Sequence, residues 1–146
     1  MAGKPSPVST LMRELTTYMA GALKRKLPAE VRERAKIHLV DTVAAIVAGA
    51  RLLPGKRAAA YVKALGGRRE AGVLGTRIVT SVMQAALANG TSAHADETDD
   101  THPPTRSHPS ASIVPAVLAI AERDQVGGGK ALAVPIGLSK GDQASQ

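Results

Sequence analysis

The stretch LPAEVRERAKIHLVDTVAAIVAGA, residues 27–50, commits a large part of this chain to helix. Pro28 suits a first helical turn, and Glu30 sits beside the positive end of the helix dipole. Val31, Ala35, Leu39, Val43 and Val47 recur at i, i+4 and predict an apolar stripe. His38 and Asp41 fall on the same helix and read as structural. A stripe of this kind must be covered, and the rest of the sequence offers further helices to cover it.

Leu11, Leu15, Met19 and Ala22 or Leu23 mark a first helix that ends near the basic KRK at 24–26, whose charges suit a helix C-terminus. LLPG breaks the chain, and Gly55 to Leu65 reads as a third helix closed by Gly66 and Gly67. AGVLGT, residues 71–76, reads as a short extended segment. SVMQ at 81–84 fits an S-x-x-Q capping box opening a helix of small residues. Gly90 lies inside that helix, where it costs about 1 kcal/mol relative to Ala. Close backbone packing is a reason to keep it. A last helix starts near Pro109, with Pro115 as a kink point and VGGGK as its end. No internal repeat is visible.

The fold class this predicts is all-α. Composition sharpens it: the chain has 26 alanines, two tyrosines and no phenylalanine or tryptophan. Alanine favours helix and lets helices approach closely. The lack of aromatic rings limits the apolar area that can be buried, so modest stability, or support from a partner surface, is expected.

With no cysteine, disulfides, thiolate metal sites and thiol catalysis are excluded. MAGKPSPVST lacks the apolar region of a signal peptide, and the apolar run VAAIVAGA at 43–50 is too short to span a bilayer. A soluble, cytoplasmic protein is the expectation. Net charge is +7 but uneven: 15 Lys/Arg and 5 Asp/Glu precede His94, against 4 and 7 from His94 onward. A basic half can attract nucleic acid. No zinc-finger spacing, RNP-like aromatic pattern or helix-turn-helix accompanies it, so a solvated helix surface is the expected reading.

Residues 94–110, HADETDDTHPPTRSHPS, differ from the rest. Asp96, Glu97, Asp99 and Asp100 fall within five positions, surrounded by His94, His102 and His108. Pro103, Pro104 and Pro109 forbid one continuous helix. Three readings compete. The acids and hydroxyls can simply cap helices. Asp, Glu and His can ligate a divalent ion, though the spacing is neither an EF-hand nor H-E-x-x-H. Crowded carboxylates beside imidazoles can also make a cofactor-free acid/base site, with prolines stiffening the loop. His108 is the sharpest candidate there, between a loop and a helix start.

AALANGTSAHADETDDTHPPTRSHPSASIVPAVLAIAE, residues 85–122, resembles the MmgE/PrpD family, whose members include 2-methylcitrate dehydratase and cis-aconitate decarboxylase. The motifs are ANG..AH, an acidic residue before DDTH, HPSA, and VPA.LA.AE. LPAEVRERAKIHLVDTVAAIVAG, ALGG and VLGT also stand in the family's order, and the resemblance spans roughly residues 11–134. It implies a large helical domain joined to a smaller α/β lid, with the site between them. It also implies lyase chemistry on small di- or tricarboxylates, without metal or organic cofactor, usually in homodimers. Some relatives are epimerases. By motif, His108 matches the family's active-site histidine, and Glu97 the acidic position two before DDT. Thr101 closes that motif, Asp99 and Asp100 complete it, and His102 follows it.

The organisation expected is a flexible N-terminus over 1–10, a helical domain over 11–134 and a divergent polar tail over 135–146, as a truncation or frameshift would leave. The family's other histidine and lysines come from later sequence, so little turnover is expected of this chain alone. The expected ligand is a small carboxylate and the expected partner a second copy, with neither nucleic acid nor membrane involved. The competing reading is a catalytically inactive helical interaction module.

Overall fold

The computed structural model describes residues 9–22, 26 and 28–128. In chain order it contains α1 (Thr10–Ala22), α2 (Ala29–Gly49), α3 (Leu53–Leu65), β1 (Ala71–Gly72), β2 (Val79–Thr80), α4 (Val82–Ala93) and α5 (Pro109–Arg123). The architecture is all-α, as the apolar spacing predicts, with one two-residue antiparallel strand pair inserted between α3 and α4. The expected tail and nearly all of the expected flexible N-terminus lie outside the described residues. Of the latter, Ser9 and Thr10 are described: Ser9 Oγ accepts the Met12 N–H at 3.2 Å and opens α1. Lys24 and Arg25 also lie outside the described residues.

Helix α4 is the hub, packed by α2, α3 and α5. It gives one alanine to each of three buried clusters. Ala93 joins Ile46 and Ala111, Ala88 joins Val62 and Val73, and Ala85 joins Ala71 and Ala119. Small side chains on α4 bring three helices close to one axis. Close approach is extreme where α2 meets α4: a Cβ on Gly49 would stand 1.9 Å from the Ser92 carbonyl oxygen. The expected reason for Gly90 holds as well, because a Cβ there would stand 3.1 Å from the Ala111 carbonyl oxygen. Pro115 belongs to this contact. Helix α5 continues through it, and its missing N–H leaves the Ala111 carbonyl, four residues back, without the usual helical donor.

The stripe expected on α2 is only partly the buried line. Val31, Ala35, Leu39 and Val43 are half-buried, but Val47 is exposed, and Thr42, Ala45, Ile46 and Gly49 are buried instead. A four-residue step overshoots one helical turn by about 40°. Over the span from Val31 to Val47 the stripe therefore rotates by about 160°, so its two ends cannot share one buried face.

Helix α3 starts at Leu53, two residues before Gly55, with Pro54 in its first turn. Gly66 and Gly67, at φ 68° and 121°, end it as expected. The SVMQ capping box does not form. Ser81 is the N-cap of α4 but makes no side-chain capping bond. The Glu70 carboxylate accepts the Val82 N–H at 3.2 Å instead, and Gln84 turns to the Thr80 hydroxyl. Helix α5 ends before VGGGK. Gln125 takes φ 51°, and the N–H groups of Gln125 and Val126 return to the carbonyls of Glu122 and Ala121, a Schellman closure.

The strand pair is held by side chains rather than by its own length. Asn89 on α4, buried, accepts the Leu74 N–H at 2.9 Å and donates to the Gly72 carbonyl at 3.0 Å. Glu122 on α5 accepts the Gly72 N–H at 2.8 Å. The family motif ANG thus has a physical content: Asn89 anchors the hairpin and Gly90 admits α5.

Among the described residues no single helix is long and apolar enough to cross a membrane. Helix α1 stands apart from the α2–α5 body and exposes Leu11, Met12, Leu15 and Met19.

Candidate functional site

Because α4 and α5 pack together, the C-terminal end of one lies beside the N-terminal end of the other. His94 is the residue after α4 and His108 the residue before α5. Their rings come within 4.7 Å, centroid to centroid, tilted by 54°. The 13 residues between them fold into a loop that returns Asp99 to the same place. The Asp99 side chain is fully buried. Its Oδ1 lies 3.0 Å from His94 Nδ1, and its Oδ2 3.3 Å from the same atom. Oδ1 also lies 3.4 Å from His108 Nδ1. That distance suits an ion pair, yet the alignment falls short of a hydrogen bond, and His108 Nδ1 is buried without another partner.

The hydrogen bond that His94 donates to Asp99 raises the imidazole pKa above its ordinary value. Partial burial works against this, and the charges of Asp99 and Glu97 add to it.

Asp100 has a different task. Its carboxylate accepts the Ser110 N–H at 3.0 Å and the Ser110 hydroxyl at 2.8 Å. A negative group there satisfies an orphan donor of the first turn of α5 and complements the helix dipole. It replaces the cap that His108, at the N-cap position, does not supply. Asp96 closes a local turn by accepting from the Thr98 hydroxyl at 2.8 Å.

His102 is tied to its own loop. Its Nδ1 meets Thr105 Oγ1 at 2.7 Å, Thr105 meets Ser107 at 2.7 Å, and the His102 N–H donates to the Ser107 carbonyl at 2.9 Å. Pro103 and Pro104 make the bend between them. This small hairpin carries Arg106, at φ 51°, to the rim of a cleft of about 510 Å3. His94, His108, Arg106 and Ser107 line the cleft, with Gly90 and Ala111 in its wall.

The structure therefore unites His108 and Asp99 and sets Asp100 behind them as the anchor of α5. Glu97 and Thr101 stand apart. Both are exposed and neither lines the cleft. Glu97 adopts φ 55°, in the left-handed region. The acidic and hydroxyl positions carried by the motif are thus not brought against His108. His94, named in the sequence only as one of three histidines around the acids and given no role there, also belongs to the site. Its signal was present in ANG..AH, where it follows Gly90 by one helical turn and precedes Asp99 by five residues.

One ligand atom from each of His94, Asp99 and His108 lies within 4.8 Å of the others. Imidazole and carboxylate donors at that spacing could hold a divalent ion of the nitrogen- and oxygen-preferring kind. The same three groups are equally suited to carry protons.

The family description of the MmgE/PrpD N-terminal domain matches residues 13–136. Over 117 residues the chain is 27% identical to the cis-aconitate decarboxylase-like protein oryM of Aspergillus oryzae, covering 80% of this chain. The chain spans 24% of the length of that relative.

Proposed function

This chain belongs to the MmgE/PrpD family, and from that premise we propose that it serves as the N-terminal domain of a cofactor-independent lyase. The substrate class is a small di- or tricarboxylate, and the reaction is of the dehydratase or decarboxylase type. His108 carries the proton. The observation that supports this most is the buried Asp99 carboxylate set against His108 at the wall of a cleft.

The chemistry follows from what such reactions need. Dehydration moves a C–H proton to a base and releases hydroxide as water with a proton from an acid. Decarboxylation breaks a C–C bond, releases carbon dioxide and returns a proton to the carbon left behind. Each needs a group that holds a proton for part of the cycle, and imidazole does so near neutral pH. Asp99 lies on the Nδ1 side of His108, so Nε2 is the nitrogen free to exchange a proton with a substrate. Glu97 and Thr101 enter this reading through the family motif alone, and Asp100 holds α5. A homodimer and a cytoplasmic location belong to the same proposal.

The relative's name supports the carboxylate class, since it is a cis-aconitate decarboxylase-like protein. The test follows cis-aconitate, 2-methylcitrate and simpler di- and tricarboxylates by 13C NMR, with the chain and with His108→Gln. Turnover, or ligand-induced shifts of the cleft resonances, that disappear in His108→Gln support the reading. Shifts or turnover indifferent to His108, or carboxylates that leave every cleft resonance unmoved, overturn it.

A second reading has one observation in its favour. Leu11, Met12, Leu15 and Met19 lie exposed on α1, as an interaction helix would present them. A catalytically inactive module of that kind would lose nothing but slight stability in His108→Gln.

A further inference from the structure

We infer that Asp99 is the positioning residue of a two-imidazole site: its buried carboxylate accepts the Nδ1–H of His94, faces the Nδ1–H of His108 as its charge partner, and leaves both Nε2 lone pairs for the cleft. This deepens the lyase reading and rests on it for its catalytic meaning. The geometry stands without it.

An ionised carboxylate is an acceptor only. A neutral imidazole carries one N–H, on Nδ1 or on Nε2. His94 Nδ1 lies 3.0 Å from Asp99 Oδ1, so a bare Nδ1 would set one lone pair against another. The same holds for His108 at 3.4 Å, with a further constraint: its Nδ1 is buried and meets no other polar group. A hydrogen on Nδ1 resolves both conflicts, because one carboxylate has lone pairs for two donors. It also explains how a carboxylate with no solvent exposure is tolerated, since the His94 N–H bonds it and the His108 N–H faces it where water is lost.

The consequence concerns the opposite side of each ring. In water, a neutral histidine side chain favours the hydrogen on Nε2. With Nδ1 committed to Asp99, both Nε2 atoms become acceptors. Both rings line the cleft, with centroids 4.7 Å apart. His94 thus stands as a second proton-handling group beside His108. A reaction that takes a proton from one atom and gives one to its neighbour can use both.

The test is a long-range 1H–15N correlation spectrum of the histidine rings in the 146-residue protein. It is recorded in alkaline solution, where the imidazoles, His94 with its raised pKa included, are neutral and His38, exposed on α2, reports the solvent tautomer. The expected result is the Nδ1–H pattern at both His94 and His108, and the Nε2–H-rich pattern at His38. His94→Gln should leave His108 as Nδ1–H, and His108→Gln should leave His94 so. Asp99→Asn should shift His108 toward the His38 pattern. If that variant does not fold, the wild-type spectrum decides. An Nε2–H pattern at either cleft histidine overturns the inference. So does a spectrum in which neither Nδ1 bears hydrogen, the signature of a metal ion held among the three side chains. Expected tautomers with no response to any carboxylate would sink the lyase reading and leave the Asp99 assignment standing.

Discussion

Gly90 faces the carbonyl oxygen of Ala111 so closely that a Cβ built on it would stand 3.1 Å from that oxygen. The oxygen belongs to a helical backbone and cannot swing aside as a side-chain end would. Gly90→Ala gains about 1 kcal/mol of helix propensity but forces α5 away at about 1–3 kcal/mol. The expected net loss is about 1 kcal/mol. Gly49→Ala meets a harder wall, 1.9 Å from the Ser92 carbonyl oxygen, and should lose about 3 kcal/mol. Gly127→Ala, with nothing within 4 Å, should stay within about 0.5 kcal/mol of wild type. Urea unfolding of the three variants gives the order, and a Gly49→Ala protein as stable as wild type would refute the packing argument.

Asn89 supports the hairpin through two backbone groups. Asn89→Ala leaves the Leu74 N–H and the Gly72 carbonyl without partners, at about 2–4 kcal/mol for the pair. Asn89→Asp keeps the acceptor for Leu74 but sets a carboxylate oxygen against the Gly72 carbonyl, 3.0 Å from the atom it replaces. Hydrogen exchange separates the two. The Leu74 amide should exchange faster in Asn89→Ala and stay protected in folded Asn89→Asp. Equal protection in wild type and Asn89→Ala would mean that the hairpin is held in some other way.

These two contacts also mark the limits of the sequence. The helices were legible because apolar residues recur at helical spacing and because Pro28, Pro54, Gly66 and Pro109 mark boundaries. The hairpin was legible only as a short extended segment. Two-residue strands carry no alternation, and their anchors arrive from far along the chain: Glu122 lies 50 residues from Gly72. Helix ends failed where a distant or unfavoured residue does the work. Glu70 caps α4 in place of Ser81, and Gln125 accepts a left-handed conformation that glycine would supply at less cost. The candidate site was legible as a cluster of residue types, and His108 and Asp99 do meet. That His94 shares their carboxylate depends on how the loop closes, and periodicity does not record that. The same closure leaves Glu97 and Thr101 outside the cleft, although they are carried by the same motif.

The Asp99–His94 bond makes stability depend on pH in a stated direction. The His94 pKa in the folded chain lies above the ordinary 6.5, first because of the hydrogen bond to Asp99. A raised folded pKa means that the folded state holds the proton more tightly than the unfolded state. The stabilisation is therefore complete below the unfolded value and is lost as pH rises through the folded one. The folded protein should lose stability on going from mildly acidic to mildly alkaline solution, across the window just above 6.5. The half-exposed imidazole keeps the effect small. Urea midpoints across that range should fall in wild type and flatten in His94→Gln. A midpoint rising with pH in wild type, and not in His94→Gln, would reverse the assignment.

Asp100 anchors the helix that presents His108. Removing its carboxylate frees the Ser110 N–H and hydroxyl and withdraws a negative group from the positive end of α5. Asp100→Ala should cost about 1–2 kcal/mol, the usual range for losing an N-terminal cap with a dipole contribution. Asp100→Asn retains an acceptor without the charge and should lose about half as much. Ser110→Ala keeps the N–H contact at 3.0 Å and gives up only the hydroxyl contact at 2.8 Å. The three variants therefore grade the anchor while leaving Asp99 and both cleft imidazoles in place. If the anchor sets where His108 stands, amide exchange at Ser110 and the displacement of the His108 ring resonances should grow together, in the order Ser110→Ala, Asp100→Asn, Asp100→Ala. Faster exchange at Ser110 with an unmoved His108 would separate the two, and Asp99 alone would then hold the ring.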